Sequence, residues 1–163
     1  MNHLRTRFLS SESHLFQYRS PADKAHSRES MTKILLVDDS KFLRLATERA
    51  LVRAGYDVRA ATDGEQALST ARDYHPDIIL LDMLLPKISG PEVLKSLKRD
   101  PETSTIPVIV FTGLSQKNAQ RLQQDGAYAF LDKSELSLDT GCRPLLAAIA
   151  EILKRLKGQA SHF

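Results

Sequence analysis

The feature that most constrains the fold of this chain is a run of four branched aliphatic residues, Ile78-Ile79-Leu80-Leu81, that ends directly in Asp82. An unbroken apolar run of this length is typical of a strand covered on both faces, as in a parallel sheet. In open α/β sheets, ligands bind in the crevice at the carboxyl ends of the strands. We therefore expect Asp82 to be accessible to a ligand while its own strand is held in the core.

Strand and helix patterns alternate strictly around this run. The other predicted strands cover residues 34–37, 57–61, 107–111 and 127–131. The predicted helices begin near Ser40, Gly64, Gly90, Ser115 and Pro144. Such alternation implies a parallel sheet with right-handed crossovers and helices on both faces. The expected fold class is therefore α/β, a doubly wound five-stranded parallel sheet.

The regular pattern does not cover the whole chain. Residues 1–30 carry scattered apolar side chains without a sustained period, and we expect them to form a flexible N-terminal tail. Met31, directly before the first strand, is an alternative initiator. We expect a single domain over residues 31–157, because a chain of 163 residues is long enough to bury one core. Residues 158–163 are then a short C-terminal tail.

Composition narrows the classes of function. No apolar run in the sequence reaches the roughly 18 residues that a membrane-spanning helix needs. The single cysteine, Cys142, excludes an intramolecular disulfide and fits a reducing cytosol. The net charge is +3, and acidic and basic residues are interspersed without a long Lys/Arg block. We expect a cytoplasmic protein that contacts neither nucleic acid nor membrane directly.

Polar residues fall at the ends of four of the five predicted strands, all on one edge of the sheet. They are Asp38 and Asp39 after the first strand, Asp82 after the third, Thr112 after the fourth and Lys133 after the fifth. Taken one at a time, aspartates cap helices, threonines start turns and lysines are solvated at the surface. The convergence of all of them on one edge favours a shared chemical function.

Three carboxylates at one sheet edge repel one another. Two unit charges about 4 Å apart repel by roughly 4 kcal/mol at an effective dielectric constant near 20. We therefore expect cations among them, and Mg²⁺ suits a few carboxylates with several retained waters. Lys133 supplies a second, fixed positive charge. A carboxylate beside Mg²⁺ and a lysine is equipped to accept a phosphoryl group, and the hydroxyl of Thr112 can bond an incoming phosphoryl oxygen.

With these residues in place, residues 31–157 resemble the receiver domains of two-component response regulators. The matching positions are the tandem acids at Asp38 and Asp39, the phosphoacceptor at Asp82, the switch residue at Thr112 and the invariant lysine at Lys133. The loop from Leu84 to Gly90 is similar to the family's Met-Pro-x-x-(Asp/Ser)-Gly turn. The resemblance implies a flavodoxin-like (βα)5 fold. It also implies phosphate transfer to Asp82 from the histidine of a sensor kinase or a phosphotransfer protein, with Mg²⁺ held by the three aspartates.

The resemblance further implies a conformational switch that pairs Thr112 with an aromatic residue three positions before the lysine, here Phe130. Ordinary core packing is the alternative role for Phe130. In the family the lysine usually precedes a proline through a cis peptide bond, whereas Lys133 precedes Ser134. A non-proline cis bond costs about 3–4 kcal/mol, so the loop either takes another path or keeps a cis bond under strain.

We interpret the chain as a stand-alone receiver and not as an enzyme; its only chemistry is Mg²⁺-dependent acceptance and slow loss of its own phosphoryl group. The segment after the last predicted helix is too short for a DNA-binding output domain. A downstream protein is the expected target, and a homodimer formed on phosphorylation stays an open alternative. A phosphatase of the haloacid dehalogenase type would need an Asp-x-Asp motif after the first strand, which the adjacent Asp38 and Asp39 do not form. A degenerate receiver used only for docking would not need the complete set of polar residues.

Overall fold

The structure is a computed structural model, and it describes residues 30–113, 119–135 and 142–160. The elements run in the order β1 (Lys33–Val37), α1 (Lys41–Arg53), β2 (Asp57–Ala61), α2 (Gly64–Tyr74), β3 (Ile78–Leu81), α3 (Gly90–Arg99), β4 (Val108–Thr112), α4 (Ala119–Gln124), β5 (Ala129–Asp132) and α5 (Arg143–Ala160). A short 3₁₀ helix, Lys133–Glu135, comes after β5. Residues 1–29 of the predicted tail, the predicted helix start at Ser115 and residues 161–163 lie outside the described residues.

The strands form one parallel sheet in the order β2-β1-β3-β4-β5. This arrangement confirms the predicted doubly wound α/β fold. The chain adds β2 on one side of β1 and β3 on the other, so the strand order reverses between β1 and β3. Ligands of such sheets bind at this switch point, and Asp38 and Asp82 come directly after the two strands that flank it.

The sheet has an apolar core on each face. Ile78 and Leu80 of β3 pack on the face covered by α1 and α5, whereas Ile79 and Leu81 pack on the face covered by α2, α3 and α4. This division arises from the two-residue period of a strand. All four side chains are fully buried, as the unbroken apolar run predicts. Burial of each contributes about 1.5–3 kcal/mol, so the strand that carries Asp82 is firmly held.

Two predicted strands are shifted along the chain. Strand β4 includes Thr112 as its last residue, one position beyond the predicted end. Strand β5 begins at Ala129, two residues later than predicted, because the turn after α4 occupies the preceding positions. In that turn Gly126 has a φ of +103°, and Ala127 N–H still donates to the carbonyl of Leu122 at 2.9 Å.

The helix ends next to the switch point are capped by their own side chains. Leu43 N–H donates to Ser40 Oγ at 3.5 Å, which confirms Ser40 as the start of α1. At α3 the carboxylate of Glu92 accepts from the N–H and the hydroxyl of Ser89, at 3.0 and 2.7 Å. Such caps satisfy backbone groups that a helix end leaves without partners. They fix where each loop enters its helix.

The last helix is longer than predicted. Helix α5 runs to Ala160, past the domain boundary expected at residue 157. Its buried face includes Leu145, Ile149 and Ile152. Among the described helices, none combines the length and the apolar character that a bilayer-spanning segment requires.

Candidate functional site

The backbone brings Asp38 and Asp82 to the same level at the carboxyl edge of the sheet. Val37 of β1 lies opposite Leu81 of β3 in the parallel register. Asp82 N–H donates to the carbonyl of Val37 at 3.0 Å, and Asp38 N–H donates to the carbonyl of Ala61 at 3.1 Å. These bonds extend the strand ladders by one residue, so both aspartates begin on rigid backbone.

The predicted acidic cluster forms. Asp38, Asp39 and Asp82 each offer a carboxylate oxygen, and these oxygens all lie within 4.8 Å of one another. Asp38 and Asp82 are buried, whereas Asp39 is exposed. Carboxylate oxygens with room for retained water are the ligands that Mg²⁺ prefers. The three residues could therefore hold a divalent cation, with Asp39 on the side open to solvent.

Lys133 bridges the two buried carboxylates. Its Nζ lies 2.6 Å from Asp38 Oδ2 and 2.7 Å from Asp82 Oδ2. The same ammonium lies 5.5 Å from the centre of the Phe111 ring, within the range of a cation–π contact. A buried charge without a partner costs several kcal/mol, so the lysine neutralises a pair that would otherwise be strongly unfavourable. The predicted position of Lys133 among the acids is confirmed.

Backbone donors occupy the other carboxylate oxygens. Ser40 N–H donates to Asp38 Oδ1 at 2.9 Å, and Leu84 N–H donates to Asp82 Oδ1 at 3.2 Å. In both cases the donor lies two residues beyond the aspartate, a local turn that aspartate commonly makes. Each carboxylate therefore has its two oxygens in different environments, one facing Lys133 and one facing a backbone amide.

Two contributors to the site were not identified from the sequence. Arg44 Nη1 donates to the backbone carbonyl of Asp38 at 2.9 Å, which ties the first turn of α1 to the acidic loop. Leu84 contributes through its backbone N–H, which no side-chain pattern can reveal. The spacing of Arg44, one helical turn after the cap Ser40, is the only signal that could have pointed to it.

Thr112 and Phe130 lie on the same face of neighbouring strands. Thr112 is buried at the end of β4. Val110 pairs with Phe130 across β4 and β5, and both belong to the core beneath α2, α3 and α4. Thr112, two residues after Val110, faces the same side because strand side chains alternate. The half-buried Phe130 packs against that core. This packing fits both ordinary core packing and the predicted switch, and the switch stays a prediction.

The loop after Lys133 takes a different path from the family's usual cis-proline turn. The described residues contain no cis peptide bond, so Lys133 and Ser134 are joined in trans. Ser134 N–H donates to Asp132 Oδ1 at 2.8 Å, and this bond lowers the pKa of Asp132. Of the two alternatives that the sequence left open, the chain adopts the different path and not a strained cis bond.

Gly90 allows α3 to start directly against the end of strand β3. A Cβ at this position would lie 2.3 Å from Met83 Cα and 2.5 Å from the carbonyl oxygen of Asp82. Real Cβ atoms do not approach backbone atoms so closely. Gly90 N–H donates to the carbonyl of Met83 at 3.1 Å and closes the loop. The glycine is therefore required by contact with the backbone of Asp82.

A doubly wound five-stranded sheet with an acidic cluster and a lysine at its switch point is the architecture of a receiver-type signalling domain. The chain belongs to the response regulator receiver domain family, whose sequence model matches residues 34–139. It is thus a component of the two-component class of signalling systems. This membership confirms the resemblance seen in the sequence, and the haloacid dehalogenase alternative is wrong.

Relatives of the chain include a polar-differentiation response regulator and a gliding motility regulatory protein. The chain is 40% identical to the polar-differentiation response regulator DivK of Brucella ovis over 105 residues, which cover 63% of this chain and 85% of DivK. It is 41% identical to the gliding motility regulatory protein of Myxococcus xanthus over 109 residues, which cover 66% of this chain and 14% of that protein.

Solved structures share the fold. The chemotaxis protein CheY4 of Vibrio cholerae has a TM-score of 0.66 and 28% identity, covering 75% of this chain and 98% of that chain. The receiver domain of a sensor histidine kinase from Pseudomonas aeruginosa has a TM-score of 0.64 and 27% identity, and the match covers 77% of this chain and 97% of that chain. That receiver domain was solved with a magnesium ion coordinated in its active-site cleft.

Proposed function

We propose that Asp82 accepts a phosphoryl group in a Mg²⁺-dependent reaction, from the phosphohistidine of a sensor histidine kinase or a phosphotransfer protein. One observation carries this proposal. The carboxylate of Asp82, a residue only 5% exposed, has Lys133 Nζ 2.7 Å from Oδ2 and shares a cluster of oxygens with Asp38 and Asp39. Phosphoryl transfer depends on positioning and on neutralising charge, and this arrangement offers both around one nucleophile.

In the proposed step, a carboxylate oxygen of Asp82 forms a bond to phosphorus while the bond between phosphorus and the donor imidazole nitrogen breaks. The bonding electron pair leaves with that nitrogen, and a proton from solvent restores the neutral imidazole. The product on this chain is an acyl phosphate. Lys133 offsets charge on the transferred group with its ammonium, and we assign the buried hydroxyl of Thr112 a hydrogen bond to a phosphoryl oxygen.

The same carboxylates would hold the metal. Asp38 and Asp82 already share Lys133, whereas the exposed Asp39 has the most freedom to turn a full negative charge toward a cation. When bound, Mg²⁺ supplies further neutralisation of the phosphoryl oxygens. The receiver domain from Pseudomonas aeruginosa, with its coordinated magnesium ion, supports this choice of metal.

Exposed apolar side chains beside the acidic cluster provide a surface for the phosphodonor. Phe42 is 69% exposed and Leu84 is 60% exposed, and Leu45 is also exposed one helical turn after Phe42. Helix α1 and the β3–α3 loop come after neighbouring strands, so these residues lie at the carboxyl edge that carries Asp82. Large exposed apolar residues grouped at one place often mark a protein contact. We assign this group, Phe42, Leu45 and Leu84, to binding the donor protein.

We further propose that the chain signals through phosphorylation-dependent protein contacts in the cytoplasm, and that it catalyses nothing beyond acceptance and slow loss of its own phosphoryl group. The output face in this proposal consists of α4, β5 and α5. It is connected to the site by Thr112 and Phe130, which share a sheet face. The target could be a different protein or a second copy of the chain.

Intact-mass measurement tests the phosphoacceptor proposal. The full chain is incubated with acetyl phosphate, with Mg²⁺ or with excess chelator. We expect one added phosphoryl group per chain with Mg²⁺ and none with chelator. Asp82→Asn should add none, and Asp39→Ala should slow the addition at limiting Mg²⁺. Stoichiometric uptake in chelator, or undiminished uptake by Asp82→Asn, would contradict the proposal.

The donor surface needs a separate test, because acetyl phosphate does not require docking. Phe42→Ser should slow phosphoryl transfer from a phosphorylated histidine kinase, selected from a panel as a working donor, and should leave labelling by acetyl phosphate unchanged. Val52→Ser is the matched control, since Val52 is exposed on the same helix but lies at its far end. Equal effects of the two substitutions would contradict the assignment.

A further inference from the structure

An ion pair joins the β3–α3 loop to the start of α2, away from the acidic cluster. Lys87 Nζ lies 2.8 Å from Asp63 Oδ2 and 3.5 Å from Glu65 Oε2. Asp63 is the N-cap of α2 and accepts from Gln66 N–H at 2.9 Å, so its carboxylate is fixed by the helix. The nearer acceptor of Lys87 is thus a carboxylate that the helix cap holds in place.

The backbone at Lys87 is strained. Its φ is +66°, in the left-handed region that side chains with a Cβ rarely adopt. Glycine or asparagine would be the ordinary residue for such a position. A lysine at this φ persists only when surrounding contacts determine the conformation, and its own side chain contributes the ion pairs to Asp63 and, at a longer distance, to Glu65.

The residue after Lys87 packs directly on α2. A Cβ at Gly64 would lie 2.8 Å from Ile88 Cβ, 2.9 Å from the carbonyl oxygen of Ile88 and 2.7 Å from Val93 Cγ2. The absence of a side chain at Gly64 therefore lets the β3–α3 loop approach the helix closely. Ile88 also packs against the core on that face. The positive φ and the ion pair belong to Lys87, and the close packing on α2 belongs to Ile88. All three features thus fall on two consecutive residues of the loop.

In the ion pair between Lys87 and Asp63, each partner favours the charged form of the other. The backbone N–H of Gln66 and the ammonium of Lys87 hold the pKa of Asp63 below its usual value. The hydrogen bond to Asp63 raises the pKa of Lys87. Exposed ion pairs contribute little to global stability, and the side chain of Lys87 is largely exposed. The pair is better explained by the geometry it imposes on the loop than by its strength.

That loop carries a donor to the phosphoacceptor. Leu84 N–H donates to Asp82 Oδ1 at 3.2 Å, near the long end of a useful hydrogen bond. The bond from Gly90 N–H to the carbonyl of Met83 closes the loop at its other end. Only Leu85 and Pro86 separate Leu84 from Lys87. We expect a shift of Lys87 away from α2 to change the direction of the Leu84 amide.

We propose that Lys87 is a positioning residue for phosphorylation, because its ion pair with Asp63 holds the β3–α3 loop on α2 and aims the Leu84 N–H at Asp82. This inference rests on the proposed phosphoacceptor function. Lys87 touches neither the acidic cluster nor the transferred group, so it acts only through the loop. Misplacement of a reacting group by about 1 Å can cost on the order of 100-fold in rate. A loop that is loosened and not displaced should lose less, roughly three- to ten-fold.

Rates and an amide signal together test this inference. In Lys87→Gln we expect roughly three- to ten-fold slower labelling by acetyl phosphate at saturating Mg²⁺, with a shifted Leu84 amide resonance in a ¹⁵N spectrum. Lys87→Arg should restore both, because it retains the charge. Asp63→Asn retains the helix cap and should reproduce the loss. The double variant Lys87→Gln/Asp63→Asn should be no slower than either single variant, since both remove one interaction.

Arg72→Gln is the matched control. It removes an exposed ion pair from the other end of α2, and it should change neither the rate nor the Leu84 resonance. A wild-type rate together with an unshifted Leu84 amide in Lys87→Gln would overturn the positioning role. The positioning role would also be overturned if Arg72→Gln slowed labelling as much as Lys87→Gln does. If the wild type takes up no phosphate, the proposed function fails, and the Leu84 resonance alone then decides whether the ion pair positions the loop.

Discussion

Lys133 Nζ lies 2.7 Å from Asp82 Oδ2, although the two residues come after strands β5 and β3, which are separated by β4. The lysine side chain therefore extends across the end of β4, where its Nζ lies 5.5 Å from the centre of the Phe111 ring. It also contacts Asp38 at 2.6 Å. The ammonium of Lys133 thus lies between two buried carboxylates in the unphosphorylated chain.

Removing the ammonium of Lys133 should destabilise the fold. In Lys133→Met, two buried carboxylates face each other without their ammonium, and breaking a buried ion pair costs about 3–5 kcal/mol. We expect a loss of about 3 kcal/mol in the free energy of unfolding, measured by urea denaturation without Mg²⁺. Saturating Mg²⁺ should recover part of the loss, because a ligand that binds only the folded state stabilises it. Unchanged stability in Lys133→Met would contradict the charge-neutralising role.

Gly90 should tolerate no side chain. In Gly90→Ala the new Cβ would overlap the backbone of Met83 and Asp82, and overpacking of this kind typically costs about 1–3 kcal/mol. We expect a loss near the upper end of that range, together with slower labelling of Asp82. Gly158→Ala is the control, because a Cβ there meets nothing within 4 Å and alanine favours the helix interior by up to about 1 kcal/mol. Similar midpoints of denaturation for the two variants would contradict this account.

The amino-acid sequence is sufficient to predict the fold and most of the site. Apolar runs ending in polar residues locate strand ends, and parallel pairing places those ends on one edge, so the convergence of Asp38, Asp82 and Lys133 is predictable from residue order alone. The start of β5 was predicted too early because Gly126 and Ala127 complete the turn after α4. That turn is set by a hydrogen bond to Leu122, which hydropathy does not reveal.

The parts that sequence reasoning missed are backbone and long side-chain contacts. The Leu84 amide at Asp82 depends on the path of a loop, and the Arg44 contact to the carbonyl of Asp38 depends on one rotamer. The requirement for glycine at Gly64 and Gly90 arises from atoms of other segments that approach within 3 Å of a Cβ position. Apart from the spacing of Arg44 one helical turn after Ser40, none of these contacts has a periodic or compositional signature.

The ion pair between Arg72 and Asp100 should shape the acid side of the stability profile. Arg72 Nε donates to Asp100 Oδ2 at 2.6 Å, and this bond, with Glu102 N–H, lowers the pKa of Asp100. A carboxylate with a lowered pKa stabilises the fold above its unfolded pKa of about 3.9. That stabilisation disappears as the pH falls through the lower folded value.

The corresponding experiment compares the wild type with Asp100→Asn over a range of pH. The wild type should be the more stable at neutral pH, and the difference should shrink below about pH 4. Arg72→Gln should shrink the same difference in stability, because it removes the largest cause of the lowered pKa of Asp100 and leaves only the bond from Glu102 N–H. A difference that stays constant from neutral to strongly acid pH would contradict the assignment.

Phosphorylation should change the output face. A phosphoryl group adds about −1.5 to −2 charge, and we expect Thr112 and Phe130 to move toward it. Amide exchange or chemical shifts should then change in α4, β5 and α5 of the wild type. Thr112→Ala should still accept phosphate from acetyl phosphate but should lose the distant changes, whereas Thr112→Ser should retain them. Changes confined to the surroundings of Asp82 in the wild type would contradict this switch.

The location of the phosphoryl group tests the central claim most directly. The chain is labelled with acetyl phosphate and Mg²⁺, the acyl phosphate is trapped by reduction with borohydride, and the modified residue is identified by peptide mass spectrometry. We predict modification at Asp82 alone, because Asp82 matches the phosphoacceptor position of the receiver family and keeps 5% of its surface exposed, whereas Asp38, which also contacts Lys133, is fully buried. Modification at Asp38 or Asp39, or of a residue outside the cluster, would contradict the account.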